Sequence, residues 1–263
     1  VRRKLFLLIF CLKKKLIHKI IPSRDGEFSL DAFEDFLKNN KVSLVTMVAV
    51  SNLDGTSLPL EEVIDLSHKY GAEVLIDGAQ LLMHKKIDAK KLNLDYLVFS
   101  GHKLLGPSGV GVLYVKKELR EHLQPFMVGG DTVEWTTYED YEFLKSNKKF
   151  EAGLQDYAGI IGLEASIKYL QQFSVSDINQ HIANLNKLIT DNLSQYSQVK
   201  IIGPGDYQKR GAIVNFYVDG VDVHQLSIML DEMANIMVRS GQHCVHSWFN
   251  ANGIKNSLRL SLS

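Results

Sequence analysis

Cysteine is nearly missing from this 263-residue chain: its two residues, Cys11 and Cys244, stand far apart and form no disulfide framework. That excludes a cystine-stapled secreted scaffold and fits a reducing, cytoplasmic setting. Net charge is missing as well, since 30 Lys and Arg balance 30 Asp and Glu. No long basic stripe appears, so the electrostatic footprint of a nucleic-acid binder is absent. The apolar run Leu5-Phe6-Leu7-Leu8-Ile9-Phe10-Cys11-Leu12 is too short for a membrane span, which takes about 20 apolar residues. Flanked by Arg2-Arg3-Lys4 and Lys13-Lys14-Lys15, it imitates a signal peptide, yet no small-residue cleavage pattern follows. Residues 1–19 are therefore read as an atypical N-terminal segment, and no membrane partner is expected. Internal repeats and low-complexity tracts are also lacking. What remains is 45% hydrophobic, a composition for a soluble globular protein of one large domain or one and a half.

The chain alternates helical and strand patterns. Leu30, Phe33, Phe36 and Leu37 recur at helical spacing behind Ser29, a fair N-cap. Residues 42–50 read as a buried strand, 60–70 as a helix stopping at Gly71, and 74–76, 96–99 and 110–115 as further strands. This alternation predicts an α/β fold with a mainly parallel sheet flanked by helices. Residues 124–149 break the pattern and read as a long loop. Beyond them, 157–173, 182–193 and 223–230 read as helices, and 212–218, 236–238 and 258–260 as strands. The expected division is a large domain over residues 20–167 and a smaller α+β domain over 168–263.

The polar residues that matter first fall at strand ends. Val74-Leu75-Ile76 runs into Asp77-Gly78-Ala79-Gln80, and Tyr96-Leu97-Val98-Phe99 runs into Ser100-Gly101-His102-Lys103. A lysine after Gly-His is usually a solvated surface residue, and an Asp at a strand end is often only a helix cap. Together they sit where open α/β sheets bind ligands, outside the carboxyl ends of the strands. The set suits pyridoxal 5'-phosphate (PLP): an amine to form a Schiff base with its aldehyde, and a carboxylate to keep its pyridine nitrogen protonated. Lys103 and Asp77 take those parts. Gln80 is in reach of the phenolic oxygen if the chain turns into a helix after Asp77, and Ser100 and His102 are near enough to Lys103 to reach the phosphate.

Cys244 has two readings. A lone cysteine is more often a small core hydrophobe than a catalyst. Its neighbours Gly241, His243 and His246 describe a polar, turn-rich loop instead, in which an imidazole or imidazolium would raise the thiolate fraction. The spacing His243-Cys244-x-His246 does not match zinc pairs, and with no fourth ligand to nominate no metal is expected.

The motifs Val50-Ser51-Asn52-Leu53-Asp54-Gly55-Thr56, Asp77-Gly78-Ala79-Gln80, Ser100-Gly101-His102-Lys103-Leu104-Leu105-Gly106-Pro107, Phe150-Glu151-Ala152-Gly153 and Arg239-Ser240-Gly241-Gln242-His243-Cys244 occur in this order. In them the chain resembles the class V aminotransferase and cysteine desulfurase family of fold-type I PLP enzymes. The last motif is similar to the cysteine loop of group II (SufS-like) cysteine desulfurases and selenocysteine lyases. The resemblance runs from about residue 20 to the end. It implies that Lys103 carries the cofactor, that Asp77, Gln80, Ser100, His102 and Asn52 surround it, and that Arg259, Asn52 and Arg239 bind substrate. Cys244 would be the nucleophile that takes sulfur from L-cysteine, leaving alanine and a persulfide. Selenocysteine is a second implied substrate, a sulfur-acceptor protein of iron–sulfur assembly an implied partner, and a homodimer the implied assembly. Two departures stand out. Leu154 occupies a position where similar enzymes often carry a threonine, and the chain is shorter than such enzymes at both ends, so both domains are expected to be incomplete. The alternatives are a class V aminotransferase and a catalytically incompetent fragment.

Overall fold

The computed structural model describes residues 16–21 and 27–262. Most of the atypical segment read over residues 1–19, including Cys11, lies outside the described residues. The described chain forms two compact units that interleave in sequence: 42–48 with 64–173 in one, and the residues up to 41, 49–63 and those from 174 onward in the other.

In the first unit three short runs rich in strand formers become parallel neighbours, β1 (Leu44–Val48), β2 (Glu73–Asp77) and β3 (Tyr96–Ser100). A fourth strand, β4 (Gly111–Val115), adds to β3 antiparallel. Only residues 101–110 join β3 to β4, too few for the crossover of a dozen or more residues that a parallel return requires. β1 and β2 have room for such a crossover, and α2 (Leu60–Lys69) fills it with Val63 and Ile64 buried; α1 (Leu30–Asn39) precedes β1 and starts at Ser29, whose hydroxyl accepts from Ala32 N.

The N-terminal ends of β2 and β3 are tied by one buried carboxylate. Asp95 Oδ2 accepts from Val74 N at 2.9 Å and meets His68 Nε2 of α2 at 2.7 Å. The tie sets the register in which Asp77 lies opposite Val98, so both strands end on the same edge. Beyond β4, the stretch expected as a loop contains a hairpin, β5 (Val133–Thr136) with β6 (Tyr141–Phe143). Thr137 closes it: its N–H donates to Asp140 O, and its hydroxyl accepts from Asp140 N. The helix α3 (Tyr157–Leu170), capped by Asp156, comes next.

The second unit contains α4 (Val175–Leu193), β7 (Val199–Ile201), β8 (Ile213–Val218), α5 (Val223–Ala234), β9 (Arg239–Gly241), α6 (His246–Ala251) and β10 (Ser257–Ser261). Its strands form an antiparallel sheet in the order β7-β8-β10-β9, as an α+β unit should. The strand expected at 236–238 instead occupies 239–241, and Ile236 and Met237 are exposed. Phe249 of α6 is completely buried with Leu53 and Ile202, and Leu258 of β10 with Phe216 and Val223. These two anchors brace the elements on either side of the loop carrying Cys244.

Candidate active site

Each unit holds one group of the residues singled out from sequence. In the sheet unit, β2 ends at Asp77 and Gly78 N donates to Val98 O at 2.9 Å, which keeps the two strands paired to their ends. A Cβ at Gly78 would come within 2.9 Å of Leu97 Cδ1, the movable end of a side chain, so the leucine would have to shift to admit one. Asp77 Oδ1 accepts from Ala79 N at 3.0 Å and turns the chain. Residues 79–84 form a run of hydrogen-bonded turns rather than a helix, with Leu81 N and Leu82 N both donating to Gly78 O. Gln80, half-buried, lies in that run.

Two residues past Val98, Ser100 opens the 3-10 turn Gly101–Leu104 without using its hydroxyl to cap it. Gly101 N donates to Val110 O, and Gly106 N to Gly101 O, folding the segment back tightly. At Gly106 an added Cβ would come within 2.9 Å of Gly101 O and 3.1 Å of Leu163 Cδ1 of α3, so only glycine lets the helix close on this turn. His102 is exposed and Lys103 half-buried. Leu105, exposed and apolar, is held at φ 61°, a left-handed conformation that costs on the order of 1–2 kcal/mol. Strain of this kind gathers where a turn must present particular groups. An acid, an amide, a hydroxyl, an imidazole and an amine thus share one strand-end edge.

In the other unit, β9 and β10 place Arg239 directly opposite Arg259 and Gly241 opposite Ser257. Gly241 leaves β9 at φ 119°, and His243 and Cys244 come after it at φ 47° and 63°. Two successive left-handed non-glycine residues swing the Cys244 thiol into solvent. Arg239 Nη2 donates to Cys244 Sγ at 3.5 Å. Arg259 is partly buried; its Nη1 donates to Asn52 O at 3.1 Å, and its buried Nε has no partner among the described residues. Asn52 in turn donates through Nδ2 to His243 O at 2.9 Å.

His243 does not take the part expected of a neighbouring imidazole. It is 2% exposed, and its Nε2 shares a 2.9 Å hydrogen bond with Ser257 Oγ. Burial, then the Arg259 and Arg239 charges, push its pKa down to about 4, so the ring stays neutral at physiological pH. The cation in contact with the Cys244 thiol is the Arg239 guanidinium and not the His243 ring. Burial, then Arg239, also lowers the Arg259 pKa, while the field of Cys244 opposes that shift. Ser257 had no signal in the sequence; only the antiparallel register, which sets it opposite Gly241, brings it to His243. Among the described residues, no group of three or more His, Cys, Asp or Glu could hold a metal ion, and no helix is long and apolar enough to cross a membrane.

The aminotransferase class-V family model matches residues 11–263. The chain is 36% identical over 243 residues to a probable cysteine desulfurase of Vibrio cholerae, covering 92% of this chain and 59% of that protein. It is 37% identical over 245 residues to a probable cysteine desulfurase of Halobacterium salinarum, covering 92% of this chain and 58% of that protein. The chain therefore spans less than two thirds of the curated relatives it matches. Among solved structures it is similar to the apo cysteine desulfurase of Thermococcus onnurineus, with a TM-score of 0.90 and 33% identity over 97% of this chain and 64% of that one.

Proposed function

Because the chain belongs to the aminotransferase class-V family, we propose that it serves a PLP-dependent cysteine desulfurase of group II, converting L-cysteine to L-alanine with the sulfur held as a persulfide on Cys244. The observation that carries this reading is the exposed Cys244 thiol on its left-handed turn, beside Arg239 and with Arg259 directly across the strand pair from Arg239. Transamination has no use for such a thiol.

The polar groups at the sheet edge suit PLP in kind. Lys103 would hold its aldehyde, Asp77 its pyridine nitrogen and Gln80 its phenolic oxygen; the Ser100 hydroxyl, unused by its own turn, and His102 would hold the phosphate. When bound, PLP supplies the electron sink for the carbon that loses its α-proton. Lys103 or a nearby base takes that proton. Arg259, steadied by Asn52 O, binds the α-carboxylate through its planar fork. Cys244 Sγ, as thiolate, forms a bond to the substrate sulfur while the bond from that sulfur to carbon breaks. The electron pair stays on the β-carbon, which takes a proton, and the α-carbon regains the proton it gave up, so that alanine is the product. Arg239 serves the thiol more directly than the substrate.

The persulfide sulfur passes to an acceptor protein, for which iron–sulfur assembly is the proposed destination, and selenocysteine is a proposed second substrate. A reduced thiol nucleophile supports a reducing, cytoplasmic compartment. Leu154, Tyr157, Ile160 and Ile161, all at least half exposed around the start of α3, support a homodimer. Product analysis separates the readings. With PLP and L-cysteine the protein is expected to form alanine and reducible sulfur in equal amounts. A keto acid in their place would select the aminotransferase, and no product at all an incompetent fragment.

A further inference from the structure

The hydrogen bonds around Cys244 close into a ring. β10 supplies two members two residues apart, Ser257 and Arg259. Arg259 Nη1 holds Asn52 O, Asn52 Nδ2 holds His243 O, and the His243 ring returns to Ser257 Oγ. Like Asn52, His243 is joined to this ring through both its backbone and its side chain. It is also the residue immediately before the thiol, at φ 47°, with its ring packed against Phe249 at 6.1 Å between centroids. A backbone held in the left-handed region persists only where its surroundings over-determine it. Histidine is among the residues that tolerate that region best, and here its side chain is latched as well.

We propose that His243 is a positioning residue: latched to Ser257 and gripped by Asn52, it fixes the turn that holds the Cys244 thiol against Arg239 and ties the thiol to the arginine assigned to the substrate carboxylate. The proposal rests on the reading of Cys244 as the nucleophile. A solvated thiol on a free loop would find Arg239 only part of the time; a thiol on a latched turn keeps the guanidinium beside it. Arg239 on β9 and Arg259 on β10 are charged groups whose fields reach both His243 and Cys244, and His246 at the start of α6 and Lys255, whose carbonyl accepts from Gln242 of the same turn, are titratable neighbours of it. His243 itself stays neutral, so it acts by holding and not by charge.

The test is the alkylation of Cys244 by iodoacetamide across pH, monitored on the Cys244 peptide by mass spectrometry in the full chain. His243→Leu, which removes the bond to Ser257, is expected to move the midpoint up by about one unit and to slow alkylation near neutral pH about tenfold. Ser257→Ala is expected to move it the same way by less. His243→Gln, long enough to meet Ser257, is expected to keep the original midpoint. Unchanged midpoints in His243→Leu and Ser257→Ala, whatever their melting temperatures, would overturn the proposal, because a merely structural histidine would alter stability alone. If His243→Leu does not fold, Ser257→Ala decides, since it removes one hydroxyl. The reading of the nucleophile fails by a separate sign, sulfur release that survives Cys244→Ser, which does not touch the alkylation midpoints.

Discussion

Cys244→Ser is expected to lower sulfur release from L-cysteine by roughly 100-fold or more while leaving cofactor capture on Lys103 intact. The thiol is exposed and fills no core space, so its replacement should cost little stability. A serine oxygen can still accept from Arg239, and the β9–β10 pairing of Arg239 with Arg259 is unaffected. What is lost is an ionisable nucleophile, because a hydroxyl does not form an anion at neutral pH even beside a guanidinium. The variant should therefore bind PLP and substrate, and stall before sulfur leaves the substrate. Retained release would remove Cys244 from the mechanism and leave Arg239 without a reason to face it.

Lys103→Ala is expected to fail earlier and more completely. Borohydride treatment of the wild-type protein with PLP should fix label on the peptide carrying Lys103, and the variant should carry none. Turnover should fall by about 10²–10⁴-fold or more, since the same amine is the proposed base. Asp77, Ser100 and His102 remain at the strand-end edge, so PLP should still bind and be removable by dialysis. The two variants thus separate two steps: one loses capture, the other loses only sulfur transfer. Label on another lysine would move the cofactor site away from the β2–β3 edge.

The β2–β3 edge was legible because strand ends are. Val74-Leu75-Ile76 and Tyr96-Leu97-Val98-Phe99 are short, apolar and rich in strand formers, so Asp77 and Ser100 had to fall where the strands stop. The hairpin at 133–143 was hidden because its strands are short and exposed, with alternation carried by Trp135, Tyr141 and Phe143 amid acids and threonines that look like loop. Ile236 and Met237 drew the expected strand three residues early because they are apolar, yet they are exposed, and pairing with β10 begins only at Arg239. α4 starts at Val175, earlier than its apolar periodicity suggests, because Ser174 caps a polar first turn. The Cys244 turn shows the sharper limit. Sequence proximity put His243 beside the thiol, but two left-handed residues separate the directions of neighbouring side chains, sending the imidazole inward to Ser257 and the thiol outward to Arg239. Residue order carries no information on that divergence; the register of β9 on β10 does.

Persulfide formation on Cys244 is tested most directly by the mass of the Cys244 peptide after the PLP-loaded protein has met L-cysteine once, without reductant or acceptor. A gain of one sulfur atom on Cys244, matched by one alanine per protein, is the predicted result. Alanine or keto acid formed while the Cys244 peptide keeps its original mass would contradict it.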